Sequence, residues 1–427
     1  MSHFAVVAPP LYSHFRALQA LAQALICRGH RVTFVHQYEA AGLLSDPGIG
    51  FEPVGLASHP AGSLARALRH AANPSGLAIR RVIADLCATT DMLCLALPAV
   101  LQRLQVDGVI ADQMEAAGGL VAEGLGLPFV SVACALPVNR EEGVPLAVMP
   151  FAYATDERAR QLYRGSERVY DWLMRDHGQV IARHAYAFGL RPRRGLHECL
   201  STLAQISQTP PGLDFPRQQL PDCFHAVGPL RPALTRPGSD PVWPLEPARP
   251  FVFASLGTLQ GQRYGLLRSI VRACRRVGAQ VLVAHCGGLD AAQAQALGEH
   301  GATWVTAFAD QRQVLRQAHV LVSHGGLNTV VDAIAGGTPI LALPIAFDQP
   351  GVAARVAYSG IGRRASRFCR SGALAEHLQA LLEGEHYRQA LQRLSGQVQQ
   401  LPGTDGAARV VEQALCSKRP VYAERAA

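Results

Sequence analysis

Lysine is nearly absent from this chain of 427 residues: among 40 lysines and arginines, Lys418 alone is a lysine. Mechanisms built on an interior lysine, such as a phosphate-binding P-loop or a Schiff base, are thereby excluded. Charge is also sparse. Acidic and basic residues make up 17% of the chain against 49% hydrophobic, the balance of a globular protein and not of a disordered one. The ten cysteines are scattered and never form a C-x-x-C pair, so neither a zinc cluster nor a dense disulfide framework is indicated. Reduced thiols in a cytoplasmic protein are expected. No run of about 18 apolar residues is free of charges and breakers, so any membrane contact should be peripheral. Met1–Pro10 lacks a basic leader and its apolar run stops at Pro9 and Pro10, which reads as a first strand and not a signal peptide. The net charge of +8 is spread without a basic run of five or six, so a diffuse field is expected and a nucleic-acid partner is not.

The length suits two domains, each able to bury its own core. Phe4 to Ala8 is a short apolar run, Leu18, Leu21, Ala22 and Leu25 follow at helical spacing, and Val32 to Val35 supplies the next strand after Gly29. Further strands are predicted at 108–111 and 128–132. Residues 155–190 read as an amphipathic helical pair with a share in shaping an acceptor pocket. Eleven of the 28 prolines lie between Thr209 and Pro250, too many for regular helix, and that stretch reads as an extended connector. A second βα series begins at Phe251, with strands predicted at 251–255, 280–284, 303–306, 320–323 and 339–343 and a helix at 264–276. The expected organisation is therefore α/β: residues 1–208 as a first Rossmann-like domain, 209–250 as connector, and 251–427 as a second, with the last helix free to return to the first. Ligands of such parallel sheets sit at the carboxyl ends of the strands.

The densest chemical signal runs from Phe308-Ala-Asp-Gln311 through Ser323-His-Gly-Gly-Leu-Asn-Thr-Val-Val-Asp332 to Phe347-Asp-Gln-Pro350. An apolar strand ending at Ser323 leads into His324-Gly325-Gly326, where missing side chains let backbone N–H groups approach an anion. Asn328 and Thr329 then open a helix whose N-terminus favours negative charge. A glycine turn alone would explain the glycines, but not their company of His, Asn, Thr and the later Asp-Gln pair. This stretch resembles the nucleotide-sugar signature of family 1 UDP-glycosyltransferases, and the similarity extends over most of the chain. The resemblance implies a GT-B fold of two Rossmann-like domains facing a cleft, inverting chemistry, and a UDP-sugar held mainly by the second domain. It also implies that Phe308 stacks on uracil and Gln311 holds the base and ribose. His324, Gly326, Asn328 and Thr329 would meet the diphosphate, Asp332 the ribose, and Asp348 and Gln349 the sugar hydroxyls. Ser255-Leu-Gly257-Thr258 matches a second phosphate-contacting loop of the family. Plant members usually carry Trp at the place of Phe308 and Glu at that of Asp332, which marks this chain as a bacterial-type variant.

An acceptor alcohol needs a base, and a positioned histidine supplies about 10² to 10⁴ in rate. By the same resemblance His14, just past the first strand, is the catalytic base, and Asp112, ending the strand at 108–111, is its partner. Asp107 competes for that role but precedes the strand and should lie at the opposite sheet edge. No Asp-x-Asp occurs, so a metal clamp is not indicated and no cofactor beyond the UDP-sugar is expected. Phe4–Phe15 and Arg28–His36 are similar to bacterial members that glucosylate carotenoids, implying UDP-glucose as donor and a lipophilic alcohol as acceptor. A macrolide, sterol or glycopeptide acceptor stays open at this point, as does a UDP-sugar epimerase; a silent nucleotide-sugar binder would be expected to lack His14 or Asp112, and the presence of both argues against it. Nothing in the sequence indicates an oligomeric state.

Overall fold

The computed structural model describes residues 1–232 and 243–423. Residues 233–242 of the expected connector lie outside the described residues. The first sheet contains β1 (His3–Val7), β2 (Arg31–Gln37), β3 (Gly50–Val54), β4 (Gly108–Asp112), β5 (Phe129–Ala133), β6 (Gln205–Ser207) and β7 (Phe224–Ala226), in the spatial order β3-β2-β1-β4-β5-β6-β7. The second contains β8 (Phe251–Ser255), β9 (Gln280–Ala284), β10 (Trp304–Thr306), β11 (Val320–Ser323), β12 (Ile340–Ala342) and β13 (Gly362–Arg364), in the order β10-β9-β8-β11-β12-β13. Every pairing in both sheets is parallel.

Parallel sheets are covered on both faces, which is why their central strands are continuous apolar runs. Phe4 and Val6 of β1 face one core with Leu18, Leu21 and Leu25, while Ala5 and Val7 face the opposite core with Leu93, Leu97 and Leu120. Phe251 and Phe253 of β8 pack with Val330 and Ile334, and Val252 and Ala254 with Leu267 and Ile270. In each sheet the strand order reverses once, between β1 and β4 and between β8 and β11. Crevices form at the carboxyl ends of strands at such reversals.

One feature corrects the sequence-based layout. The stretch 209–250 is not wholly a connector: Phe224–Ala226, a proline-free window between Pro221 and Pro229, pairs with β6 and becomes the edge of the first sheet. The two prolines bound a short window, in which three residues pair. The last helix, Gly403–Ser417, packs Ala407, Val411 and Leu415 into the core that holds Phe4 and Leu18, so the chain ends on the first layer. The Arg28 guanidinium donates to Glu412 at 2.8 Å on the outside of that contact.

The helix Ile79–Leu104, with a short 3-10 turn before it, is long and apolar enough to cross a bilayer, with a mean hydropathy of 1.6. It packs an apolar face onto the first sheet, burying Leu93, Cys94, Leu97 and Leu101. All ten cysteines are free thiols.

Candidate active site

Both reversal points carry the residues singled out in the sequence. Leu11 precedes the helix Tyr12–Cys27, whose first turn places His14 over the carboxyl end of β1. Asp112 is the last residue of β4, the neighbour of β1. The His14 Nδ1 and Asp112 Oδ2 atoms are 2.7 Å apart and both residues are buried. The Met114 amide donates to the other carboxylate oxygen at 2.9 Å, so both oxygens are engaged. Asp107, the competing candidate, lies at the amino end of β4 and accepts from the His3 amide at 2.8 Å.

Burial pushes the His14 pKa down, but the Asp112 carboxylate, by charge and by hydrogen bond, and the Asp348 charge outweigh it, leaving the pKa raised above 6.5. A neutral imidazole here keeps its proton on Nδ1, facing the carboxylate, and leaves Nε2 as a basic lone pair. Cys134 completes a cluster whose ligating atoms lie within 4.8 Å of one another. Burial and the Asp112 charge push that thiol well above its ordinary range, so it stays protonated. The trio therefore fits a hydrogen-bonded base dyad beside an inert thiol better than a metal-ligand set, because the dyad bond already uses the facing atoms of both groups.

At the second reversal, Ser255 ends β8 and Ser323 ends β11, paired in register. The loops that follow close on His324 from two sides. A Cβ on Gly257 would come within 2.7 Å of the ring, and one on Gly326 within 2.5 Å. Burial pushes the His324 pKa down to about 4, so the ring is neutral near pH 7 and offers a hydrogen-bonding dipole and not a cation. Gly326 starts the helix Leu327–Gly336, which no side chain caps. Its first amides are left for an anion.

Gly326 has φ of −64°, which alanine adopts freely, so Gly326→Ala tests the ring contact and not the backbone. The displaced imidazole is expected to weaken UDP binding by on the order of tenfold, from an overpacking cost of about 1–3 kcal/mol. Isothermal titration with UDP checks this, and an unchanged Kd would sink it.

Beyond His324, the Gln311 side chain donates to Asp332 at 2.7 Å and sits 3.2 Å from the Thr329 hydroxyl. Phe308 is 65% exposed on the loop after β10, an apolar ring open to a stacking partner. Asp348 and Gln349 follow Phe347, a non-glycine residue at φ of 55° whose conformation turns the chain sharply. Burial raises the Asp348 pKa, offset in part by the Leu136 amide and by His14. The Gln349 Oε1 accepts from the Ile345 and Ala346 amides, both at 2.9 Å, which leaves its NH2 as the available donor. Ser255 stands 3.9 Å from Cys286, and Thr258 is exposed at the loop tip.

The structure thus brings His14, Asp112, Asp348 and Asn328 to one cleft, with the Asn328 NH2 3.4 Å from the Ser13 carbonyl across it. Two things escaped the sequence reading. Asp332 is occupied on both oxygens, by Gln311 and by Arg231 at 2.8 Å. Arg231 itself lies in the proline-rich stretch and carries no motif that would have marked it. Glu115, three residues past Asp112, caps the helix Ala116–Gly124 and is pushed by burial up to about 7.

A family model described as UDP-glucoronosyl and UDP-glucosyl transferase matches residues 68–403. The chain belongs to this family and is a glycosyltransferase. It is 54% identical over 421 residues to the zeaxanthin glucosyltransferase of Pantoea ananas, covering 99% of this chain and 98% of that one. With the zeaxanthin glucosyltransferase of Pseudescherichia vulneris it shares 52% identity over 425 residues, 99% of this chain and 100% of that one. The GT-B fold is common to the glycosyltransferase of kitacinnamycin (TM-score 0.77, 19% identity, 97% of this chain and 99% of that one). It is also that of the calicheamicin glycosyltransferase (TM-score 0.74, 20% identity, 98% and 100%).

Proposed function

We propose that the protein moves glucose from UDP-glucose onto the ring hydroxyls of zeaxanthin, giving the mono- and then the di-β-glucoside. The observation that carries the reading is the buried His14–Asp112 pair at 2.7 Å, at one strand reversal, with the glycine-clamped His324 loop at the other. The choice of acceptor is supported by the relatives at 52% and 54% identity.

In this scheme the acceptor O–H gives its proton to His14 Nε2 as its oxygen attacks the sugar C1. The C1–O(acceptor) bond forms while the C1–O(phosphate) bond breaks, on the opposite face, so the configuration inverts. Asp112 stabilises the imidazolium, as the carboxylate does in a serine-protease triad. The bonding pair leaves with UDP, whose charge meets the Leu327–Gly336 helix N-terminus, loop amides and neutral His324. Asp348 and Gln349 would orient the sugar hydroxyls, and Phe308 would stack on the base. The scheme takes no metal. Leu162, Val169 and Trp172 stand exposed on one face of the helix Glu157–Leu173, with Arg175 5.5 Å over the Trp172 ring. That face suits peripheral contact with the membrane that dissolves the acceptor.

The test is incubation with UDP-glucose and detergent-dispersed zeaxanthin in EDTA, followed by mass spectrometry and NMR of the linkage. Masses of one and two added hexoses with β linkages are expected. An α linkage overturns the inverting mechanism, and dependence on added divalent ion overturns the metal-free scheme. UDP-glucose consumed without a carotenoid product redirects the search to another aglycone or to epimerisation.

A further inference from the structure

Arg231, through its side chain and its backbone, ties the end of the first sheet, the returning chain and the helix after β11 into a single polar cluster. Its backbone is held at both ends by Thr404, whose hydroxyl accepts from the Arg231 amide and donates to its carbonyl, each at 2.8 Å. Its side chain is 17% exposed. All three guanidinium nitrogens donate. Nε reaches Asp332 at 2.8 Å, Nη2 reaches the Asn328 carbonyl at 2.9 Å, and Nη1 reaches the Asn328 side-chain oxygen at 2.9 Å. Nη1 also faces the Leu230 carbonyl at 2.9 Å and the Gln208 side-chain oxygen at 3.2 Å. Gln208 in turn donates at 2.6 Å to the carbonyl of Cys134, the thiol residue beside the His14–Asp112 pair.

This geometry has a directional consequence. A guanidinium has donors only, so the Asn328 atom facing it must be the amide oxygen. The Asn328 NH2 then points the other way, toward the cleft and the Ser13 carbonyl next to His14. Asp332 is held in the same way, between Arg231 Nε on one oxygen and Gln311 Nε2 on the other.

We propose that Arg231 is a positioning residue for the nucleotide-sugar donor: it orients the Asn328 amide donors toward the diphosphate and holds Asp332 at the ribose. It thereby sets the spacing between that seat and the base dyad. The inference rests on the UDP-sugar reading above. Its role needs a planar fork, because three acceptors on two sides of the side chain cannot be reached from a single ammonium.

The experiment compares wild type, Arg231→Met, Arg231→Lys and Gln208→Met. UDP is titrated calorimetrically into wild type first. Absence of binding there overturns the functional reading and this inference with it. Given binding, Arg231→Met is expected to raise the UDP Kd and the donor KM by about 10- to 100-fold, the loss of a charge-assisted hydrogen-bond set, with the acceptor KM unchanged. Arg231→Lys is expected not to rescue it. Gln208→Met removes the anchor on the far side of the guanidinium, together with its bond to the Cys134 carbonyl, and should shift the donor KM in the same direction by a smaller factor. It keeps the test decisive if Arg231→Met does not fold. Unchanged UDP Kd and donor KM in the variants overturn the proposal. So do losses that fall equally on donor and acceptor KM alongside a lowered melting temperature, the mark of a purely structural role.

Discussion

His14→Ala is expected to lower kcat by about 10² to 10⁴, the usual worth of a positioned general base, while leaving UDP affinity essentially unchanged. The separation follows from placement: His14 stands at the carboxyl end of the first sheet, whereas the His324 loop follows a strand of the second. The alanine also leaves the buried Asp112 carboxylate with only the Met114 amide and the Cys134 thiol to face, a cost in stability. His14→Gln restores a hydrogen-bonding side chain without a titratable base and should recover thermal stability but not turnover. The wild-type pH profile carries the same signature. Only neutral His14 accepts a proton, and its pKa is raised above 6.5 by Asp112 and Asp348 against the opposing effect of burial. Activity should therefore fall as pH drops through a pKa above 6.5, and that acid limb should vanish in His14→Ala. Full turnover in the alanine variant would remove His14 from the base role.

Asp112→Asn keeps the shape and should nonetheless cost turnover on a similar scale, roughly 10² to 10⁴. The Met114 amide needs an acceptor at Oδ1, so the new NH2 must take the Oδ2 position facing His14 Nδ1. Nδ1 then becomes an acceptor, the ring proton moves to Nε2, and the nitrogen aimed at the acceptor alcohol can no longer receive a proton. Loss of the carboxylate charge also lowers the His14 pKa, so the residual activity should show its acid limb at lower pH than wild type. Turnover equal to wild type, or an acid limb that does not move, would show that Asp112 does not govern the base.

Much of the fold was legible because buried parallel strands are uninterrupted apolar runs. The strands at 251–255, 280–284 and 320–323 and the helix at 264–276 have the bounds expected from the sequence. Other elements carry no such signal. β3 reads Gly-Phe-Glu-Pro-Val and is mostly half-buried, while β13 reads Gly-Arg-Arg. Both are edge strands, made into strands by a neighbour and not by their own pattern. β7 was hidden among prolines for the same reason.

What the sequence by itself determined is local: apolar runs ending in Asp112, Ser255 and Ser323, a first run followed closely by His14, and the glycines around His324 that mark close approach. The tertiary structure decided which of these ends meet. His14 and Asp112 are 98 positions apart and touch because β1 and β4 are neighbours at a strand reversal. Arg231 reaches Asn328 and Asp332 across 97 and 101 positions because the chain passes between the sheets there and Thr404 pins it. Such contacts leave no trace in residue spacing, because a guanidinium recognises the direction and distance of its acceptors in space, and those are set only once both sheets have formed and the last helix has closed against the first.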